Sequence, residues 1–585
     1  MDLFDILSLI SGLALFLFGM NIMSSALEKC AGSKLKNILA SMTSSPIKGF
    51  FLGLVVTAVI QSSSATTVMV VGFVNSGIMT LHQAVGVIMG ANVGTSVTSW
   101  LLTLTQVDGD NLFIQLLKPS SFVPVLALIG VILFMFQSNA KRKDLGLILL
   151  GFAVLMTGMD VMSDAVSGLK DVPQFADLFV MFSNPILGVL VGAIVTAIIQ
   201  SSSASVGILQ ALSSTGAISV GACIPIIMGQ NIGTCVTAMI SSVGTSKNAR
   251  RAALVHLCFN SVSTVVILTV YSIINAIVTL PFDNMQASAF TIAVTHAVFN
   301  ILAVSIMMPC TRLLEKLAVL LIPDREDDKN EKVVLLDERL MATPAVAIER
   351  CRNVTVDMAE ESISSVKSAM EFVLNGYDAK VAEKIKESEK TVDKYEDKIG
   401  SYLVKLSNHD MTEEDSNESN KILHLISDFE RISDHALNIM GAAEEIKDKK
   451  LDFSSEAKKE MTVLITAVNE ILDITYKTFS QNDLQSAVMV EPLEQVVDEL
   501  KEYMRRQHVR RLRKNECTVE MGFIQTDLLT DIERISDHCS NIAACILEMA
   551  HDDMDMHKYL NRVKAGKVQE YNQYYEHYVA KYAIK

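Results

Sequence analysis

Two nearly identical runs of amide and hydroxyl side chains interrupt apolar stretches of the sequence. The first is Gln61-Ser62-Ser63-Ser64, and the second is Gln200-Ser201-Ser202-Ser203. Four consecutive hydrogen-bonding side chains are costly against lipid, so they must face a cavity or each other. Such donors match the oxygen atoms of a tetrahedral oxyanion, and a helix beginning at either run would add N–H groups and a positive dipole end. The pattern favours anion binding over the alternative, close helix packing through serines.

A second duplicated motif surrounds an asparagine with glycines. Its copies are Gly90-Ala91-Asn92-Val93-Gly94-Thr95 and Gly229-Gln230-Asn231-Ile232-Gly233-Thr234. Paired glycines favour a broken helix whose freed carbonyls, with side-chain oxygens, would ligate a small hard cation. Close packing at the glycines is the competing interpretation. The side chains expected to bind sodium are Thr66, Asn92, Thr95, Ser205, Asn231 and Thr234.

Fixed positive charge is missing around both serine runs. The sequence has no Lys or Arg between Lys48 and Lys118, and none between Lys170 and Lys247. A buried divalent anion without a compensating cation is strongly unfavourable. The compensating charge must therefore arrive with the substrate, and sodium is the natural candidate.

The motifs belong to an internal repeat, because adding 139 to a position in the first copy gives its counterpart in the second. Loop charges change sign between the copies: Lys29 and Lys34 of one loop correspond to a segment with Asp171, and Asp108 corresponds to Lys247. Since positive loops stay on the cytoplasmic side, the copies are expected to cross the membrane in opposite directions. This is the pattern of inverted-repeat transporters. By the same rule, the N-terminus lies outside and the chain after Arg312 lies inside the cell.

Hydropathy divides the chain into a membrane half and a soluble half. Residues 6–27, 50–80, 81–104, 120–137, 145–165, 186–215, 220–242, 253–280 and 288–310 are each apolar enough to enter a bilayer, and some are long enough to fold back. We expect an all-α protein: a polytopic membrane domain of two inverted repeats with re-entrant or broken helices, plus a soluble helical domain of two tandem three-helix bundles. The expected domains are residues 1–322 (repeats about 1–138 and 139–311), a linker 323–345, a helical domain 346–560 and a tail 561–585.

A smaller repeat places an imidazole and an amide four residues apart. It occurs as His256 with Asn260 and as His296 with Asn300. That spacing puts both side chains on one helix face. Hydrogen bonding between helices is favoured here over contact with a ligand.

Residues 1–320 resemble the type II sodium–phosphate cotransporters in their bacterial form, and the paired QSSS segments are the most specific part of the match. The resemblance implies inorganic phosphate as substrate and sodium as the driving ion. Animal members tend to have a further serine where this chain has Ala65 and Ala204. The resemblance to the cotransporters also implies a set of phosphate-binding residues: Gln61, Ser62, Ser63, Ser64, Gln200, Ser201, Ser202 and Ser203.

The soluble half carries its own duplication. The segment Asp428 to His435 recurs at Asp531 to His538, with ERISDH common to both, and apolar residues follow the helical period throughout. This half resembles PhoU, a helical protein of phosphate signalling. That resemblance implies regulation of transport and a divalent or iron-type metal at Glu389, Asp393, Glu430, Asp434, Glu494, Asp498, Glu533 and Asp537. The alternative is a solvated acidic face paired with Arg431 and Arg534.

Composition excludes several classes. The net charge of -15 lies mostly in the soluble half and argues against nucleic acid as a partner. No P-loop or nucleophile–base pair indicates an enzyme. The expected function is sodium-coupled phosphate transport across the cytoplasmic membrane by a multi-pass protein. A phosphate sensor without net transport, an exporter, a carrier of a related oxyanion such as arsenate or sulfate, and assembly as a homo-oligomer stay open.

Overall fold

The computed structural model describes residues 3–40, 45–106, 119–167, 184–278, 280–323, 336–550 and 569–584. Every regular element in these ranges is a helix, and one isolated β-bridge joins Ser219 and Gln286. The all-helical prediction is confirmed. The chain forms two compact units, Met1–Val346 and Ala347–Lys585, which we describe separately.

The first unit contains the apolar helices. Six helical stretches are long and apolar enough to cross a membrane, and four shorter apolar helices accompany them within the described ranges. The helices are α1 Leu3–Ala40, α2 Pro46–Ile60, α3 Ser63–Asn75, α4 Leu81–Leu102, α5 Pro119–Phe136, α6 Ala140–Ser167, α7 Pro185–Ile199, α8 Ser202–Ser213, α9 Val220–Ser241, α10 Lys247–Ile277, α11 Ala289–Met307 and α12 Thr311–Leu321.

Helices α1 and α6 show how the two repeats are related. A Cβ atom at Gly12 would lie 2.9 Å from the carbonyl oxygen of Gly158, and one at Gly19 would lie 2.6 Å from that of Gly151. Gly12 is equivalent to Gly151, and Gly19 to Gly158, so each contact is the counterpart of the other. As the residue number increases along α1, the number of the residue it contacts in α6 decreases. The equivalent helices are therefore antiparallel, as the loop charges predict.

The long apolar stretches 50–80 and 186–215 are each broken near the middle. Helix α2 ends at Ile60 and α3 begins at Ser63, while α7 ends at Ile199 and α8 begins at Ser202. The second half-helices contact both copies: α3 packs against α4 and α9, and α8 packs against α9 and α4. The predicted broken helices are confirmed, and each serine run leads into a helix that packs against both repeats.

The second unit is built from long helices, two sets of three in tandem as predicted. Reciprocal contacts relate the sets: His435 Nδ1 lies 2.8 Å from Asp531 Oδ1, and His538 Nδ1 lies 2.9 Å from Asp428 Oδ1. A shorter helix follows and packs on α17. The helices are α13 Pro344–Asn375, α14 Ala379–Leu406, α15 Glu413–Asp448, α16 Ser455–Gln481, α17 Leu484–Arg513, α18 Val519–Ala550 and α19 Gln569–Lys581.

Some expected boundaries lie outside the described residues. These include the step from helical domain to tail at 560, the acidic loop positions 108, 110, 171 and 177, and residues 324–335 of the linker. The rest of the expected linker is described. Residues 336–346 belong to the first unit.

Candidate functional site

Both serine runs form the same sharp break between two helices. Gln61 has φ 60° and Gln200 has φ 58°, which places two residues other than glycine in the left-handed region. The next serine caps the following helix: Ser62 Oγ accepts from Ala65 N, and Ser201 Oγ accepts from Ala204 N, each at 3.2 Å. Backbone strain of this kind costs about 1–3 kcal/mol and concentrates at functional sites.

The new helices expose their N-terminal donors at the breaks. The first helical bond of α3 runs from Thr66 N to Ser62 O, and that of α8 from Ser205 N to Ser201 O. The amides of the first helical residues, among them Ser63 and Ser202, therefore have no acceptor within their helices. N–H groups, serine hydroxyls and a positive dipole end together suit an anion.

A hydrogen bond between two hydroxyl side chains connects the helices on either side of each break. Thr57 Oγ1 donates to Thr66 Oγ1 at 3.0 Å, and Thr196 Oγ1 donates to Ser205 Oγ at 2.8 Å. Thr57 and Thr196 are both fully buried. These contacts hold two of the predicted cation ligands, Thr66 and Ser205, in place. Thr57 and Thr196 are related by the repeat offset of 139 but are not among the predicted site residues.

The two glutamines differ in their surroundings. Gln61 is 6% exposed and its Oε1 accepts from Thr98 Oγ1 at 2.8 Å, whereas Gln200 is exposed. Thr237 is the counterpart of Thr98, yet its hydroxyl has no partner. The first break is therefore tied to α4 through its glutamine side chain, and the second is not tied to α9 in this way. Sequence reasoning missed Thr98, although the repeat offset pairs it with Thr237.

The glycine–asparagine motifs do not break their helices, so this expectation was wrong. Helices α4 and α9 run without interruption from Leu81 to Leu102 and from Val220 to Ser241. The amides of Asn92 and Asn231 donate to backbone carbonyls one turn earlier, at 3.0 and 3.1 Å.

The glycines of these motifs serve close packing instead. A Cβ at Gly90 would lie 1.9 Å from the carbonyl oxygen of Phe50, and one at Gly229 would lie 2.1 Å from that of Val189. The Asn and Thr side chains thus lie on uninterrupted helices that pack closely against α2 and α7. Any cation they bind would meet side-chain oxygens, because the helical carbonyls are engaged.

The histidine–asparagine repeat forms the predicted contacts between helices in its second copy. His296 Nδ1 lies 2.9 Å from Ser99 Oγ, and Asn300 Nδ2 donates to Ser96 Oγ at 3.2 Å. In the first copy, Cys235 and Ala238 stand at the positions equivalent to Ser96 and Ser99. Both ring nitrogens of His256 accordingly lack a partner there.

In the second unit, the first acidic set gathers on α14 and α15. Burial, followed by the charges of Asp434 and Glu396, raises the pKa of Glu430 to about 7. The pKa of Glu389 is raised by burial and then by Asp393. The carboxylates are close enough to raise one another's pKa values, and carboxylate oxygen is a donor that hard cations prefer.

The second acidic set differs because it contains a lysine. Lys501 Nζ lies 2.8 Å from Glu533 Oε1 and 3.7 Å from Asp498 Oδ1. Glu494 hydrogen-bonds to Asp537. An ammonium group therefore supplies one positive charge within this set of four carboxylates.

Arg431 and Arg534 contribute little to either set. Both are largely exposed and lie 3.8 and 3.9 Å from Glu430 and Asp537. Across the described residues, no three His, Cys, Asp or Glu side chains come together as a metal-binding group. The chemistry of the first set fits a cation, but its side chains do not converge on one point.

Each of the two units matches a known protein family. The family described as Na+/Pi-cotransporter matches residues 15–164 and 174–306, and the PhoU domain matches residues 355–443 and 462–546. Together with the antiparallel repeats and paired breaks, these matches define a multi-pass membrane protein of the transporter class. The chain belongs to the Na+/Pi-cotransporter family, a family of transporters and not of enzymes, and carries a C-terminal PhoU domain.

Individual relatives extend the same picture. The "Putative inorganic phosphate export protein YjbB" of Salmonella typhimurium is 26% identical over 95% of this chain and 99% of its own length. The "Uncharacterized protein YqeW" of Bacillus subtilis is 32% identical over 54% of this chain and 99% of its own length. The human "Sodium-dependent phosphate transport protein 2B" is 39% identical over 24% of this chain and 21% of its own length.

A solved structure is similar to part of this chain. PhoU from Pseudomonas aeruginosa is 20% identical and covers 35% of this chain and 97% of its own, with a TM-score of 0.33.

Proposed function

We propose that this protein is a sodium-coupled secondary transporter of inorganic phosphate, regulated by its PhoU-like unit on the cytoplasmic side. The observation that carries the proposal is the pair of equivalent helix breaks at Gln61 and Gln200, each followed by a capping serine. Antiparallel copies present these donor sets from opposite sides. Two such sets suit the four oxygens of one phosphate.

Charge balance supports sodium as the coupled ion. The half-helices of the two breaks carry a single Lys or Arg, which is Lys48 in the first turn of α2, at the end away from the break. A buried phosphate needs positive charge beyond two helix dipoles. The proposed ligands are the side-chain oxygens of Thr66, Asn92 and Thr95 with their counterparts Ser205, Asn231 and Thr234. Helix α3 packs on α9 and α8 packs on α4, so each helix that begins at a serine run contacts the helix that carries the other copy's proposed cation ligands.

Uptake by purified protein in proteoliposomes tests this proposal. An inward sodium gradient should raise the initial rate of labelled phosphate uptake at least ten-fold over an equal potassium gradient. Ser63→Ala combined with Ser202→Ala should abolish the difference, whereas Thr462→Ala, an exposed hydroxyl in the second unit, should leave it intact. Uptake that ignores both sodium and the two serines would overturn the proposal.

Export is a second candidate for the physiological direction. It is favoured by the relatives that match over 95% of this chain, whose printed names describe inorganic phosphate export. The same binding site serves either direction, because sodium and phosphate gradients set the net flux. Transport measured in right-side-out and in inverted vesicles from phosphate-loaded cells distinguishes uptake from export. Competition by sulfate and by arsenate identifies which oxyanions the site accepts.

A further inference from the structure

A short segment before α13 is folded into the first unit. It consists of Asp337, the 3-10 helix Glu338–Ala342 and Thr343, and we name it the clasp. Leu340 and Met341 are 0% and 4% exposed, and Asp337 is 2% exposed. Composition predicts a linker here, but burial of this degree marks a docked element.

On one side the clasp binds the first repeat. Asp337 Oδ2 accepts from Asn75 Nδ2 at 2.5 Å, at the last residue of α3. The Leu340 side chain covers Gly72, where an added Cβ would lie 3.0 Å from Leu340 Cδ2. The clasp therefore grips the end of the helix that begins at the first serine break.

On its other side the clasp binds the second repeat. Arg339 Nε donates to Ser241 O at 2.5 Å and its Nη2 donates to Val243 O at 3.1 Å, so the guanidinium caps the negative end of α9. Asp337 orients that guanidinium at 3.1 Å. Asn75 completes the connection, since its Oδ1 accepts from Ser246 N at 2.8 Å.

These contacts tie one inverted repeat to the other. Alternating access in such transporters moves one repeat or bundle against the other around the substrate site. Helix α3 is about 20 Å long at 1.5 Å per residue, so movement at its serine break and at its clasped end are coupled. Separation of α3 from α9 at this end must first break the hydrogen bonds of Asp337 and Arg339.

We propose that the clasp is an autoinhibitory element that holds the two repeats together and limits phosphate flux until it is released. The proposal rests on the proposed transport function and adds its means of regulation. The clasp leads directly into α13, the first helix of the PhoU-like match. A conformational change in the PhoU-like domain can therefore reach the clasp through the polypeptide chain. Release frees the end of α3 and raises the transport rate.

A reversible disulfide tests the proposal in the full chain. An ideal Cβ at Gly72 lies 3.7 Å from Arg339 Cβ, within the range that disulfides require. In Gly72→Cys with Arg339→Cys, the reduced protein loses the guanidinium contacts and should transport phosphate several-fold faster than wild type. After oxidation, verified by mass spectrometry of the linked peptides, flux should fall to the level of Ser63→Ala with Ser202→Ala. Reduction in the same liposomes should restore it.

Each outcome separates the clasp from transport itself. The single variants Gly72→Cys and Arg339→Cys should be unaffected by the oxidant, and Asp337→Ala should be faster than wild type. Absence of flux both in wild type and in Asp337→Ala contradicts the proposed function. Wild-type flux that persists in the crosslinked variant, or Asp337→Ala flux at or below that of wild type, overturns the clasp and leaves transport standing.

Discussion

At the scale of single residues, the two helix breaks have the same backbone conformation but differ in the hydrogen bonds of their glutamine side chains. Both glutamines adopt the same left-handed φ, but only Gln61 is fastened, through Thr98 on α4. The cation-coupled anion site we propose is therefore built from equivalent parts held with unequal rigidity. The glutamine that has this additional hydrogen bond lies in the first copy.

Thr98→Val should weaken phosphate transport by raising the phosphate concentration needed for half-maximal uptake. Loss of one neutral hydrogen bond is worth about 1 kcal/mol, which corresponds to about five-fold. Thr237→Val is the matched control, because the equivalent hydroxyl has no partner, and its half-saturation should change less than two-fold. Equal effects of the two substitutions would show that the Thr98–Gln61 bond has no special role.

The stability of the PhoU-like unit should decline as pH rises, because the pKa of Glu430 is raised to about 7 from 4.5. The folded state then binds the proton more tightly than the unfolded chain. The resulting stabilisation is fully present below pH 4.5 and is lost as pH rises through about 7.

Thermal unfolding of the full chain, followed by circular dichroism between pH 5 and 8, measures this effect. Glu430→Gln should flatten the pH dependence, whereas Glu413→Gln, an exposed position in the first turn of α15, should keep the wild-type slope. An unchanged slope in Glu430→Gln would assign the dependence to other groups.

At the scale of helices, glycine positions decide how closely α2 and α4 approach. A Cβ at Gly90 meets the backbone of α2 at Phe50 O and, at 2.7 Å, at Leu54 N. Backbone cannot move aside as a flexible side chain can. The same geometry recurs at Gly229 in the second copy.

Gly90→Ala should therefore destabilise the membrane unit by about 1–3 kcal/mol, as overpacking of a tight contact does. The control is Gly441→Ala, an exposed helical position of α15 with no atom within 4 Å of an added Cβ, which should be neutral or stabilising by up to about 1 kcal/mol. The two variants are compared by heating the detergent-solubilised proteins and measuring how much monodisperse protein remains. Equal melting of both variants would refute the packing account of this glycine.

Helix existence and the inversion of the repeats could be predicted from the sequence, because apolar length, loop charge and a constant offset are all local or additive signals. The conformation of the glycine–asparagine motif could not. A Gly-Ala-Asn-Val-Gly-Thr segment is compatible with a break or with tight packing, and only the position of Phe50 on the neighbouring helix decides between them. Tertiary contact overrides local glycine propensity here.

At the scale of the whole molecule, the proposed phosphate donors, the proposed cation ligands and the clasp lie on connected helices of the first unit. Helix α3 carries a serine break at one end and Asn75, held by the clasp, at the other. The sequence did not reveal the clasp because a polar, proline-flanked segment is typical of a linker. Its burial depends on Gly72 and on the turn after α9, which lie far away in sequence.

The central claim is that both serine breaks bind one and the same phosphate ion. Isothermal titration of phosphate into the purified protein in sodium, compared with potassium, measures this directly. We expect one phosphate per chain in sodium, and loss of binding in Ser63→Ala and in Ser202→Ala alike. Two phosphates per chain, with each substitution removing one and leaving the other intact, would contradict the account.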